Sequence, residues 1–320
     1  DLSIFEGRII MAAITASMVK ELRETTGAGM MDCKKALAEA DGDMTRAVEI
    51  IRENGQAKVE KKAGRIAAEG LVTAIVDGDN VGAIVEVNSE TDFVAKNQTF
   101  QDFVALVAKQ ALTTTAADLD AFLAEKWNAD ESKTVQDELA SQVAVIGENL
   151  KIRRFARVEE NNGFVASYIH MGGKIGVLVD IETDVVNDAI KEMGKNVAMQ
   201  AAALKPVYTS RDEVSPEYIA KETEILTAAA KNEKPDANEK ILAGMVQGRL
   251  NKELKDICLL DQTYIKAEDG KQSVAKYVEE VAKANGANIK VKSYVRFETG
   301  EGIEKKNEDF AAEVEAQMNK

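Results

Sequence analysis

The run Glu90-Thr91-Asp92-Phe93-Val94 recurs, altered, as Glu182-Thr183-Asp184-Val185-Val186, and each copy follows a glycine-marked hydrophobic hairpin. In the first copy Gly70-Leu71-Val72 precedes Gly82-Ala83-Ile84-Val85-Glu86-Val87; in the second Gly163-Phe164-Val165 precedes Gly176-Val177-Leu178-Val179-Asp180-Ile181. Self-similarity on this scale marks a duplicated supersecondary unit. The chain should therefore fold around two copies of one scaffold. Aligned on the shared run, Phe93 stands opposite Val185, and the residue that differs on a tolerant scaffold is a candidate for function.

A length of 320 residues allows two or three domains with a sizeable core. The composition, 45% hydrophobic and 30% charged, is that of a soluble globular protein, and 3 prolines with 5% aromatics leave helix as the dominant element. A net charge of −14 disfavours binding to nucleic-acid phosphates, which needs clustered Lys and Arg, and favours a protein partner. Cys33 and Cys258 lack CxxC spacing, so neither a disulfide framework nor a zinc site is indicated and a reducing, cytoplasmic setting is expected. No apolar run of about 18 residues offers a membrane span. Residues 1–10 lack a signal-peptide pattern and are expected to be an extension before a natural start at Met11.

Three short helices are expected over 15–55. The first carries Val19 and Leu22 and ends at Gly27-Ala28-Gly29, the second carries Cys33, Ala36 and Leu37, and the third opens on Asp43 as N-cap. Residues 58–65 read as a charged connection, a solvated helix or linker. The first unit should have strands near 71–76 and 82–87 joined at Asp77-Gly78-Asp79-Asn80, then a helix burying Phe100, Phe103, Val104, Val107 and Ala111, and another near 135–149. The second unit repeats the scheme with strands at 164–169 and 175–181 and a helix at 186–203. Beyond Pro206, 214–232 and 237–257 read as an antiparallel helical hairpin, followed by a strand at 289–297 and a helix at 310–318.

The tracts Gly27-Ala28-Gly29-Met30-Met31-Asp32-Cys33-Lys34-Lys35-Ala36-Leu37 and Thr91-Asp92-Phe93-Val94-Ala95-Lys96 resemble those of the elongation factor Ts family, guanine-nucleotide exchange factors of elongation factor Tu. The resemblance extends to Ile146-Gly147-Glu148-Asn149-Leu150-Lys151-Ile152-Arg153-Arg154, to His170 with Lys174-Ile175-Gly176, and to Arg296-Phe297-Glu298-Thr299-Gly300-Glu301-Gly302-Ile303-Glu304-Lys305. It implies an α+β fold: a ubiquitin-associated-like three-helix module at 11–65 after the 1–10 extension, and a first duplicated α/β core subdomain at 66–162. The second subdomain begins at 163–210, is interrupted by a helical hairpin at 211–260, and ends with a C-terminal helix module at 261–320.

Two readings compete at Asp92 and Phe93. By spacing alone they start a helix: Ser89 or Thr91 caps it, Asp92 favours its dipole, and Phe93 shares an apolar face with Phe100 seven residues on. The resemblance implies instead that the Asp-Phe pair projects as a wedge into the partner's GTP-binding domain near its magnesium site. Met30 and Met31 either fill a core or, because an adjacent helical pair cannot both point inward, face out; by resemblance Arg23, Met30 and Met31 contact a partner helix. Ile146 and Gly147 end a helix, and His170, the single histidine, is suited to packing or hydrogen bonding. The resemblance makes all three partner contacts.

The chain has no GxxxxGK[ST], GxGxxG or HExxH motif, so no nucleotide, cofactor or catalytic metal of its own is expected, and no enzyme activity. The expected function is exchange: binding elongation factor Tu·GDP and promoting GDP release by disturbing the partner's magnesium and phosphate site. A ubiquitin-associated-type binding module on an unrelated dimerisation scaffold is the alternative. One-to-one and two-to-two assemblies are both left open.

Overall fold

Strands β1 (Glu69–Asp77) and β2 (Val81–Ser89) form an antiparallel hairpin in the computed structural model, which describes residues 13–305. The expectations for 1–10 and for a helix at 310–318 lie outside the described residues. The first turn Asp92–Ala95 (α4) leads into α5 (Gln98–Thr113), then α6 (Leu119–Ala124), a short hairpin of β3 (Lys126–Trp127) and β4 (Asp130–Thr134), α7 (Val135–Ile146) and β5 (Lys151–Glu159). The second unit comprises β6 (Gly163–His170), β7 (Ile175–Thr183), α8 (Asp188–Leu204), α9 (Pro216–Glu233), α10 (Glu239–Ile257), α11 (Val274–Ala284) and β8 (Ile289–Glu298). The two main sheets have matching antiparallel orders, β1-β2-β5 and β6-β7-β8, so the architecture is α+β.

The third strand of each sheet pairs with the second through a bulge, between Glu86 and Val87 in one and between Asp180 and Ile181 in the other. A bulge inserts one residue and inverts the inward–outward alternation. In β5, Ile152 and Phe155 consequently face the same core three positions apart, while Ala156 and Val158 face the other sheet. This broken period, with the basic residues Arg153 and Arg154 in the middle, explains why β5 is not legible as a strand.

The central strands are covered on both sides. Ala83, Val85 and Val87 of β2 meet Phe100, Phe103, Val104 and Val107 of α5, and Val177, Val179 and Ile181 of β7 meet Ile190, Met193 and Val197 of α8. The opposite faces pack on each other through Val72, Ile84, Val165 and Leu178. This contact is reciprocal. A Cβ on Gly82 would lie 2.7 Å from Val165 Cγ1, and one on Gly176 would lie 2.6 Å from Val72 Cγ1, so only glycine admits the neighbouring sheet at these two equivalent places. Val165 donates its N–H to Asp79 O (2.8 Å) as Val72 donates to Gly173 O (2.7 Å). The halves pack as an isologous pair within one chain.

The duplication reaches further than its sequence trace. Gln110 of α5 donates to Lys126 O and accepts from Asn128 N, and Gln200 of α8 donates to Thr263 O and accepts from Ile265 N. Both glutamines are buried, each holding a strand-like segment that leads into the next helix. Between α8 and that segment the second unit carries the α9–α10 hairpin, with Ala230, Leu242 and Val246 at its centre; the first unit has the short α6 there.

Structural pairing corrects the alignment of the repeat. Ser89 and Thr183 each end the second strand, and their hydroxyls donate to the carbonyls of Thr91 and Val185. Val185 is thus the counterpart of Thr91, not of Phe93. Asn97 caps α5 eight residues after Ser89, whereas Asn187 caps α8 four residues after Thr183; the difference is the four residues of α4. Phe93 sits on an insertion that the second unit lacks. The repeated Glu-Thr-Asp run concealed it, because two copies of the same letters fall at different structural positions.

At the N-terminus α1 (Ala16–Thr26), α2 (Met30–Glu39) and α3 (Met44–Lys62) surround Leu22, Cys33, Leu37, Ala47 and Ile50. Thr15 and Asp43 cap α1 and α3, and Gly27 ends α1 in the left-handed region at φ 69°. Residues 58–62 belong to α3 and so are helix rather than linker. Helix α3 holds the bundle to the first unit, where Arg52 donates to Ser132 O (2.8 Å), Lys62 to Gly147 O (2.7 Å), and Gly55 lies against Ala140. No helix among the described residues is long and apolar enough to cross a membrane.

Candidate functional site

A helix of four residues cannot hold itself, since forming one turn fixes several dihedrals for a single hydrogen bond. The α4 turn is held from outside. Thr91 Oγ1 accepts from Val94 N (3.3 Å) as its N-cap, and Glu148, just after α7, accepts from Glu90 N (3.0 Å), Thr91 N (3.1 Å) and the Thr91 hydroxyl (2.7 Å). Glu90 Oε1 in turn accepts from Asn149 N (2.6 Å), and Asn149 Nδ2 donates to Arg65 O (2.7 Å). The turn is thereby tied to both α7 and the end of α3.

On this braced turn Phe93 is 79% exposed, the most exposed large hydrophobic among the described residues, while Phe100 is fully buried. The helix-start reading is right about the Thr91 cap and wrong about the ring: Phe93 does not join the face of Phe100. Lys96 donates to Asp92 Oδ2 (2.7 Å), which holds the Asp92 carboxyl below its ordinary pKa, and the ammonium lies 6.0 Å from the Phe93 ring centre. An open groove beside the ring is lined by Arg65, Ile66, Glu69 and Lys305.

The structure brings Ile146, Gly147 and His170 to the same end of the molecule. Ile146 packs partly on the first core, and Gly147 ends α7 exposed at φ 87°. His170 is half-buried at the end of β6, with Nδ1 3.0 Å from Tyr168 Oη. The turn after it docks on β1, where Lys174 Nζ reaches Glu69 Oε2 (2.8 Å). At its tip Met171 is 70% exposed at φ 51°. Sequence reasoning missed Met171, and it missed Glu148 although that residue stood inside a quoted motif; a lone Glu after a helix has no pattern that shows what it accepts.

Arg23, Met30 and Met31 form a separate surface. The two methionines are 60% and 62% exposed, so core filling is ruled out for both, and with Ile14, Val19 and Arg23 they line an apolar groove across α1 and α2. The Arg296–Lys305 tract is structural. Gly300 N donates to Glu86 Oε1 (2.8 Å), and fully buried Glu86 also accepts from Arg153 (3.2 Å) and Arg154 (2.5 Å), with Arg154 stacked 4.3 Å above Phe297. Among the described residues no group of three His, Cys, Asp or Glu side chains could hold a metal ion. Both cysteines are buried, which pushes their thiols up and keeps them protonated.

The family model for elongation factor TS matches residues 90–301. Elongation factor Ts of Clostridioides difficile (strain 630) is 57% identical over 309 residues, 96% of this chain and 100% of that protein. The factor from Clostridium tetani (strain Massachusetts / E88) is 52% identical over 95% of this chain and 99% of its own length. That from Clostridium novyi (strain NT) is 49% identical over 96% and 99%.

Proposed function

The chain belongs to the elongation factor Ts family, and on that premise we propose that it acts on elongation factor Tu·GDP through the α4 turn, with Phe93 as the wedge. Its role is guanine-nucleotide exchange, not catalysis of a covalent step. The thermodynamics are those of linkage: a protein that binds the nucleotide-free partner more tightly than the GDP-bound one weakens GDP binding by the same factor. Entry of Phe93 between partner helices, with Asp92 beside it, displaces groups that hold the partner's magnesium ion. Loss of that cation weakens the hold on the phosphates.

The observation that carries this reading is an aromatic ring 79% exposed on a turn braced from two sides. Burying such a ring in a partner is worth about 1.5–3 kcal/mol, which the free protein forgoes. The three N-terminal helices act as a ubiquitin-associated-like docking module through Arg23, Met30 and Met31. Ile146, Gly147 and His170 add contacts beside the wedge.

Release of fluorescent GDP from elongation factor Tu, followed while the chain is titrated, separates the two roles. Phe93→Ala should lower the plateau rate by about tenfold or more with stability changed by less than about 0.5 kcal/mol, as at a surface site. Arg23→Ala with Met30→Ala and Met31→Ala should raise the half-saturating concentration by about tenfold and restore most of the plateau, since interface truncations act mainly on dissociation. A Phe93→Ala protein that exchanges at the full rate, or that loses the roughly 3–5 kcal/mol typical of a core phenylalanine, defeats the wedge assignment.

A further inference from the structure

We propose that Glu148 is a positioning residue for exchange: it holds the Glu90–Ala95 segment, and with it Phe93, in the projecting geometry before the partner arrives. The inference rests on the wedge reading above and adds what sets the wedge's direction.

The duplication supplies an internal control. In the first unit Glu90 accepts from Asn149 N; at the matching place in the second, Asp184 accepts from Asn288 N (2.7 Å) and Nδ2 (2.9 Å). The match follows from the strand register, Asn149 and Asn288 each standing two residues before Lys151 and Lys290, which pair with Asn88 and Glu182. This carboxylate–asparagine clamp is common to both halves and therefore belongs to the scaffold. Glu148 has no such counterpart, because the residue before Asn288 is Ala287. The half that carries the inserted turn is the half that carries the extra carboxylate.

Its geometry suits the task. Glu148 Oε1 accepts the hydrogen bond of the Thr91 hydroxyl, which leaves the lone pairs of Thr91 Oγ1 for Val94 N, so one carboxylate fixes both the start of the turn and the polarity of its cap. Such linked bonds reinforce one another. Without Glu148 the segment keeps the Ser89–Thr91 and Glu90–Asn149 bonds, the Thr91 cap and the Asp92–Lys96 bond, but the Glu90 and Thr91 amides and the Thr91 hydroxyl lose their shared acceptor. A wedge that must be ordered at the moment of insertion acts more slowly, since small misplacements of a working group carry large rate penalties.

The test compares Glu148→Ala, which copies the second unit, with Glu148→Gln, in the same GDP-release titration and by amide hydrogen exchange of the free protein. Glu148→Ala should lower the plateau rate about tenfold with the half-saturating concentration changed less than about twofold, and should speed exchange of the Glu90 and Thr91 amides. Glu148→Gln, which keeps one acceptor and the volume, should fall between this variant and the parent. In a Phe93→Ala background Glu148→Ala should have no further effect on exchange, because it acts through the ring. If Phe93→Ala lowers the plateau and Glu148→Ala does not, or if the two losses multiply, the positioning role is wrong while the wedge stands. If Phe93→Ala itself leaves exchange at the parent rate, the wedge reading fails first. Should Glu148→Ala fail to fold, a Glu148→Gln protein with parent exchange and parent amide protection overturns the proposal.

Discussion

The two sheets place a carboxylate at the same bulge and surround it with different charges. In the first, Glu86 receives Arg153, Arg154, Asn88 and the Gly300 amide, so its charge is fully answered. In the second, Asp180 sits where Glu86 sits, Lys292 replaces Arg153 at 4.0 Å, Ser293 replaces Arg154, and the Glu160 carboxylate lies alongside. Burial, reinforced by Glu160, pushes Asp180 up to about 6. Lys292 prefers Glu160 (2.8 Å) and holds that group low. The inner faces of the two halves are nearly interchangeable because each must fit the other; divergence collects at bulges and connections, where a change does not have to be matched across the interface.

The largest test of the comparison is to remove what only one half has. Deleting residues 92–95 gives the first unit the four-residue strand-to-helix spacing of the second, and exchange should fall by more than about a hundredfold in the GDP-release assay, as when a wedge and its mount are lost together. Retained helical circular dichroism with parent-level exchange would show that the insertion is not the working element. Next in size is Glu86→Gln, which leaves two arginines facing a neutral amide at a buried site. Breaking a buried pair in this way costs about 3–5 kcal/mol, measured by urea unfolding; a loss under about 1 kcal/mol would mean that the arginines find water or Glu301 instead.

The smallest effect is the mirror experiment, Asp180→Asn. Because Asp180 titrates at about 6 folded against 3.8 for an unperturbed group, the folded state holds the extra proton between these values. Its contribution is therefore fully present below about pH 4 and is lost as pH rises through about 6. Glu160, shifted down, works in the opposite sense, its contribution being lost as pH falls. Asp180→Asn should be more stable than the parent by about 1–2 kcal/mol at pH 8, a shift of one pKa unit being worth about 1.4 kcal/mol, and the gain should shrink as pH falls through about 6 and vanish only below about pH 4. A gain that does not change with pH, or a loss at pH 8, would show that Asp180 is as well paired as Glu86.

What the sequence by itself determined was local and periodic. The caps at Asp43 and Thr91, the glycine that ends α1, the apolar faces of α5 and α8, the α9–α10 hairpin and the existence of a duplication are written in residues a few positions apart, and short-range sterics and hydrogen bonding read them out. The motif around Asp92 and Phe93 was visible too. Only the tertiary structure decided that Phe93 stands on an insertion rather than on a substituted position, that Met30 and Met31 face solvent, that β5 is a strand, and that Glu148 reaches Thr91 across 57 residues. Each of those depends on register and on which side of an element meets a distant one. A bulge flips that side with a single residue, and no period in the sequence records where the flip falls.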